Sequence, residues 1–155
     1  MNVSIYSRKA IEMLLQEGQL KNSAVISFYD PEWREYSSPP INFDGKCDQT
    51  IQVAVHDFTY DELNDFGLSI ESYFPEANTV ASFIYDARLK GLDIICQCEH
   101  GQSRSAGCAA AILQFFLKKG IDVFTDLRYC PNQLIYHKIF DALQKINQTE
   151  QRNNK

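Results

Sequence analysis

No apolar run in this 155-residue chain approaches the roughly 20 residues that a bilayer-crossing helix needs. The longest, Ala106 to Leu113, is far too short. Positive charge is also scarce. Fifteen Lys and Arg stand against 20 Asp and Glu, giving a net charge of −5 and a pI near 5.1. A broad basic face for nucleic acid or an anionic membrane surface is therefore excluded, although a basic patch inside one cleft is compatible with that balance. The N-terminus, MNVSIYSRKAIEMLL, lacks the continuous apolar core of a secretory signal. The five cysteines are odd in number and show no disulfide-scaffold spacing, so thiols in a reducing cytoplasm are expected. Neither C-x-x-C nor H-x-x-x-H occurs. Cys96, Cys98, His100 and Cys130 thus form no usual zinc pattern, and no metal or other cofactor is expected.

Repeats, linkers and low-complexity segments are absent too, and a composition of 45% hydrophobic and 23% charged residues is ordinary for a globular protein. One domain over residues 1–155 is expected, with 148–155 a frayed polar tail. Strands are predicted at Val3–Tyr6, Ala24–Tyr29, Ile51–Val55 and up to Gln97. Helices are predicted after Ser7, ending near Gly18, from about Pro75 to Lys90, over Ser105–Lys119, and from Pro131–Asn132 onward. Alternating strands and helices imply an α/β fold with a mainly parallel central sheet flanked by helices. In such sheets ligands sit at the carboxyl ends of the strands.

The stretch LDIICQCEHGQSRSAGCAAAIL, Leu92 to Leu113, places a strand, a polar turn and a helix start in succession. That sequence of elements builds an anion pocket: backbone N–H groups turn inward, and the open helix end adds partial positive charge. Cys98 ends the strand and Arg104 lies six positions later, room enough for a loop to curl around one tetrahedral oxyanion. The guanidinium can then grip two oxygens while the sulfur sits beneath. A helix N-terminus and an arginine both favour thiolate over thiol. Gly101 allows the close approach such a curl requires. Ser105 places a hydroxyl where it can reach the sulfur.

Cys98-Glu99-His100-Gly101-Gln102-Ser103-Arg104-Ser105 resembles the phosphate-binding loop of the cysteine-dependent protein tyrosine phosphatases. The continuation Ala106-Gly107-Cys108-Ala109 is most similar to the small dual-specificity-type enzymes of bacteria and viruses. The resemblance implies a phosphatase-type loop between strand and helix. In it Cys98 is the nucleophile, Arg104 and the backbone N–H groups of Glu99, His100, Gly101, Gln102 and Ser103 hold phosphate, and Ser105 assists departure of the sulfur. It also implies a general acid on a loop after an earlier strand. Asp57 fits, but its separation from Cys98 is longer than expected, so Asp61 and Asp65 stay open as rivals. The implied partner is a phosphorylated protein or peptide, with no nucleic acid and no membrane; the oligomeric state is not read from the sequence.

Other residues have plainer readings. Ser103 serves equally well as a helix cap; Asn132, which matches a Pro-Asn pair in similar bacterial enzymes, is a helix cap at least as readily as a support for the loop. Trp33, Phe58 and Tyr60 are candidates for an aryl pocket, though core is the commoner place for aromatics. His100 is expected at the pocket rim. Many relatives carry His before the cysteine, where this chain has Gln97. That departure motivates the alternative of a catalytically weak or inactive phosphate-recognition module. A sulfur-transfer or arsenate-type enzyme uses a similar loop, but the arsenate type carries it near the N-terminus.

Overall fold

Four strands form one sheet in the order β1-β4-β2-β3, every neighbouring pair parallel. They are β1 (Val3–Ser7), β2 (Ser23–Tyr29), β3 (Gln49–Ala54) and β4 (Asp93–Cys98). The computed structural model describes residues 1–18, 20–32 and 38–153, so Trp33 lies outside the described residues. Helix α1 is Arg8–Glu17, α2 Tyr60–Asp65, α3 Ala77–Leu89, α4 Arg104–Leu117, α5 Gly120–Thr125 and α6 Gln133–Asn153. The chain is a single α/β domain, with a sheet wholly parallel among the described residues rather than mainly so.

Strand alternation divides the core in two. Ala24, Ile26 and Phe28 of β2, with Ile94, Cys96 and Cys98 of β4, pack against α3, α4 and α6 through Val80, Ile84, Ile112, Ile135 and Ile139. Val25 and Ile95 point the opposite way, onto Ile11 of α1 and onto Leu20, Ile41 and Phe43. Ser7 caps α1 by accepting from the Ala10 N–H at 3.2 Å, as its place before an apolar-periodic run predicts.

Several boundaries differ from the pattern reading. Helix α4 was expected to stop at Gly120; it ends at Leu117, where Lys118 takes a left-handed conformation (φ 59°), and Gly120 instead opens α5. Helix α6 continues to Asn153, through most of the segment expected as a polar tail. Two short helices, α2 and α5, have no counterpart in the sequence reading. The first carries its own start signal, Thr59-x-x-Glu62, a capping box in which the Thr59 N–H donates to Glu62 Oε2 at 2.7 Å.

A parallel sheet gathers all its strand C-termini at one edge. Here that edge collects Ser7, Asp30, Val55 to Asp57, and Cys98. Residues remote in sequence therefore meet there, and the β4–α4 loop crosses directly above.

Candidate active site

Peptide planarity shapes the loop from Cys98 to Arg104, because each carbonyl points opposite to the N–H of the next residue. The Cys98 carbonyl accepts from Gln97 Nε2 at 2.8 Å, and the Glu99 carbonyl accepts from the Arg8 N–H at 3.1 Å. The Gln102 carbonyl accepts from the Cys130 N–H at 2.9 Å, and the Ser103 carbonyl from the N–H groups of Gly107 and Asn132 at 2.8 and 3.1 Å. Four carbonyls bound by surrounding elements leave the N–H groups of Glu99, His100, Ser103 and Arg104 aimed the other way. Such a concave set of donors, at the start of a 14-residue helix, binds anions.

Gly101 makes the curl sterically possible. It sits at φ +67°, and a Cβ there would lie 2.5 Å from the Ser7 nitrogen and 2.8 Å from the Tyr6 carbonyl carbon. Only a residue without a side chain lets the loop lie against the end of β1.

Cys98 is 2% exposed, and its Sγ lies 3.0 Å from Ser105 Oγ, itself fully buried. Arg104 is buried as well. Its Nη1 donates to Asp30 Oδ1 at 2.8 Å and to the Val55 carbonyl at 2.9 Å, which anchors one arm of the guanidinium to the ends of β2 and β3. Its Nε is buried without a hydrogen-bond partner among the described residues. A buried, charged donor left unpaired is costly unless a ligand completes it. The missing partner is an acceptor, which is what an oxyanion supplies.

Asp57 follows β3 and meets the loop from the side. Its Oδ1 accepts from Ser103 Oγ at 2.6 Å and from Asn132 Nδ2 at 2.8 Å. Asn132 also donates to the Phe58 carbonyl at 2.9 Å, while its Oδ1 accepts from the Ile135 N–H at 2.9 Å. One buried side chain thus caps α6 and clamps the Asp57 segment, joining two roles the sequence offered as alternatives. Among the three candidate acids, Asp57 is the one hydrogen-bonded to the loop. Asp61 lies in the first turn of α2 and Asp65 at its last residue, both exposed. His100 is exposed at the rim, while the Glu99 carboxylate turns outward to Arg8 Nε at 2.8 Å.

Gln97 fills a buried position in a defined way. Ser27, its register partner on β2, donates from Oγ to Gln97 Oε1 at 2.6 Å, so the amide N is fixed on the Cys98 carbonyl. Ser27, Asp30 and Tyr73 were not singled out in the sequence. Asp30 directly follows the strand predicted to end at Tyr29; the signal available was that parallel strands end on a common edge. Tyr73 is buried, donates to the His56 carbonyl at 2.7 Å, and has its phenol pushed up by burial and then by Asp57. Behind the loop, burial pushes the Cys108 thiol well above its usual range, reinforced by the neighbouring Cys96 thiol.

No protein-family model matches the chain, and no curated protein does. Solved structures do. PTPMT1 in complex with PI(5)P matches with a TM-score of 0.58 at 11% identity, over 96% of this chain and 94% of that one. Tk-PTP in its active form gives 0.57 at 14% identity, covering 92% and 90%, and human DUSP28 gives 0.53 at 13%, covering 95% and 94%. The fold is that of the cysteine-dependent protein tyrosine phosphatases. Its layout matches the dual-specificity type of that fold.

Proposed function

We propose that the chain is a metal-independent phosphomonoesterase that hydrolyses phosphotyrosine in proteins, and phosphoserine or phosphothreonine where they reach the bowl, through a phosphocysteine intermediate. The observation that carries this reading is the buried Arg104 Nε, a cationic donor without a hydrogen-bond partner among the described residues, at the end of the loop that starts at the buried Cys98 sulfur. In the first step the Cys98 thiolate attacks phosphorus in line and the bond to the leaving oxygen breaks. Asp57 supplies that oxygen's proton; with Oδ1 occupied by Ser103 and Asn132, its Oδ2 is the atom that carries it. Arg104 and the loop N–H groups hold the equatorial oxygens, whose charge they stabilise most in transit. In the second step Asp57 takes a proton from water as the water attacks phosphorus. The S–P bond breaks, the thiolate leaves against the Ser105 hydroxyl, and inorganic phosphate is released.

Turnover of a good aryl phosphate by Cys98→Ser is the direct test. The variant is expected to lose turnover while still binding vanadate or phosphate; retained turnover rejects the mechanism. A burst of product from the unmodified chain separates an enzyme from a phosphate-binding module, which gives none. PTPMT1 was solved with PI(5)P, but a net charge of −5 weighs against a polyanionic headgroup here.

A further inference from the structure

Next to the anion bowl lies a second cavity of about 350 Å3. Asp57 and Ser103 form the shared rim, and the cavity extends over Phe58, Tyr60 and Asp61 toward Pro131. Its aromatic walls are fixed. Phe58 stacks between His56 and Phe66, with centroid distances of 4.6 and 4.3 Å, and the Tyr60 hydroxyl pairs with His137 Nδ1 at 2.6 Å. The acidic side chains of its lining are Asp57 and Asp61, and among the described residues neither lysine nor arginine lines it. Asp57 is already held by two donors, whereas the Asp61 carboxylate has no hydrogen bond or ion pair among the described residues.

Resting on the phosphatase reading, we propose that this cavity is a specificity subsite for a lysine or arginine side chain flanking the phosphoresidue of a peptide substrate. The aliphatic stem lies along Phe58, Tyr60 and Pro131, and the cationic head meets Asp61. Aromatic faces and a carboxylate both attract a cation, whereas a glutamate or second phosphate at this place meets like charge. The shared rim puts the cavity mouth beside the leaving oxygen, where the substrate's main chain emerges. Asp61 is thus a determinant of which phosphopeptide is accepted, and Asp57 serves the chemistry.

The test is kcat/KM of the full chain on matched phosphotyrosine peptides carrying Arg, Ala or Glu at the flanking positions, with para-nitrophenyl phosphate and a phosphoinositide vesicle alongside. Arg over Glu by at least about fivefold is expected, shrinking as salt is raised. Asp61→Asn is expected to flatten the ranking and Asp61→Lys to reverse it. Equal ranking of the three peptides, a ranking untouched by Asp61→Lys, or faster hydrolysis of the phosphoinositide overturns the subsite while aryl phosphate hydrolysis leaves the phosphatase reading intact. Failure to hydrolyse aryl phosphate and peptides alike overturns both.

Discussion

Gln97 acts on the sulfur through one backbone carbonyl. With its amide N on the Cys98 oxygen, the Cys98–Glu99 peptide cannot rotate, and the Glu99 N–H keeps its aim into the bowl. Gln97→Ala is therefore expected to lower kcat about tenfold or more. Ser27→Ala, which frees only the far end of Gln97, is expected to do the same more weakly. An unchanged kcat in both would leave Gln97 as packing. Asn132 acts on Asp57 in a comparable way. Asn132→Ala is expected to slow substrates with poor leaving groups by roughly ten- to a hundredfold, within the range of general acid catalysis, and to spare good ones. Asp57→Asn is expected to show the same slope more steeply, and an equal loss on all substrates would transfer the acid role to another carboxylate. The partner that each clamp holds was not legible in the sequence. Ser27 pairs with Gln97 through a parallel register, and Asn132 reaches Asp57 across 75 positions. The cysteine, glycine, arginine and serine were legible because one short loop carries all four.

Gly101, against the end of β1, and Gly107 decide whether the elements can meet. At Gly107 an added Cβ would collide with the backbone of Asn132, its carbonyl oxygen nearest, so α4 could not lie against the start of α6. Gly107→Ala is expected to cost about 1–3 kcal/mol of stability through overpacking. It should also displace Asn132, so that the leaving-group dependence steepens together with the drop in Tm. Loss of stability with an unchanged leaving-group slope would separate the packing from the clamp. Long elements with strong periodicity, β2, α3 and α4, follow from the sequence, as does the Ser7 cap. Helix α2 is harder to see: six residues of mixed polarity show no period, and only the Thr59–Glu62 box marks it. Its placement matters, since it sets Asp61 into the neighbouring cavity and leaves Asp57 to the loop. Among three acids in one polar segment, the choice depended on where β3 ends within the sheet.

For the whole molecule, the buried weak acids set the response to alkali. Cys108 and Tyr73 both titrate above their ordinary values in the folded chain because burial penalises their anions. A raised folded value contributes stability that is fully present below the unfolded value and is lost as pH rises toward the folded one. Stability is therefore expected to decline above about pH 8.5, as unfolded thiols ionise, and more steeply above about pH 10, where unfolded tyrosine does. Urea midpoints against pH check this, and Cys108→Ala should remove the earlier limb; a flat profile to about pH 11 would contradict it. The α/β class was visible in the alternation of elements. Which strand ends lie side by side on the shared edge, bringing Asp30 and Val55 to Arg104 and Asp57 to the loop, was not, because it follows from strand order. In the proposed reaction, sulfur becomes bonded to phosphorus during turnover. Mass analysis of the chain acid-quenched while hydrolysing an aryl phosphate tests it most directly: one phosphoryl group on the peptide containing Cys98 is predicted. Turnover with Cys98 unmodified, or with the phosphoryl group on another residue, would contradict it.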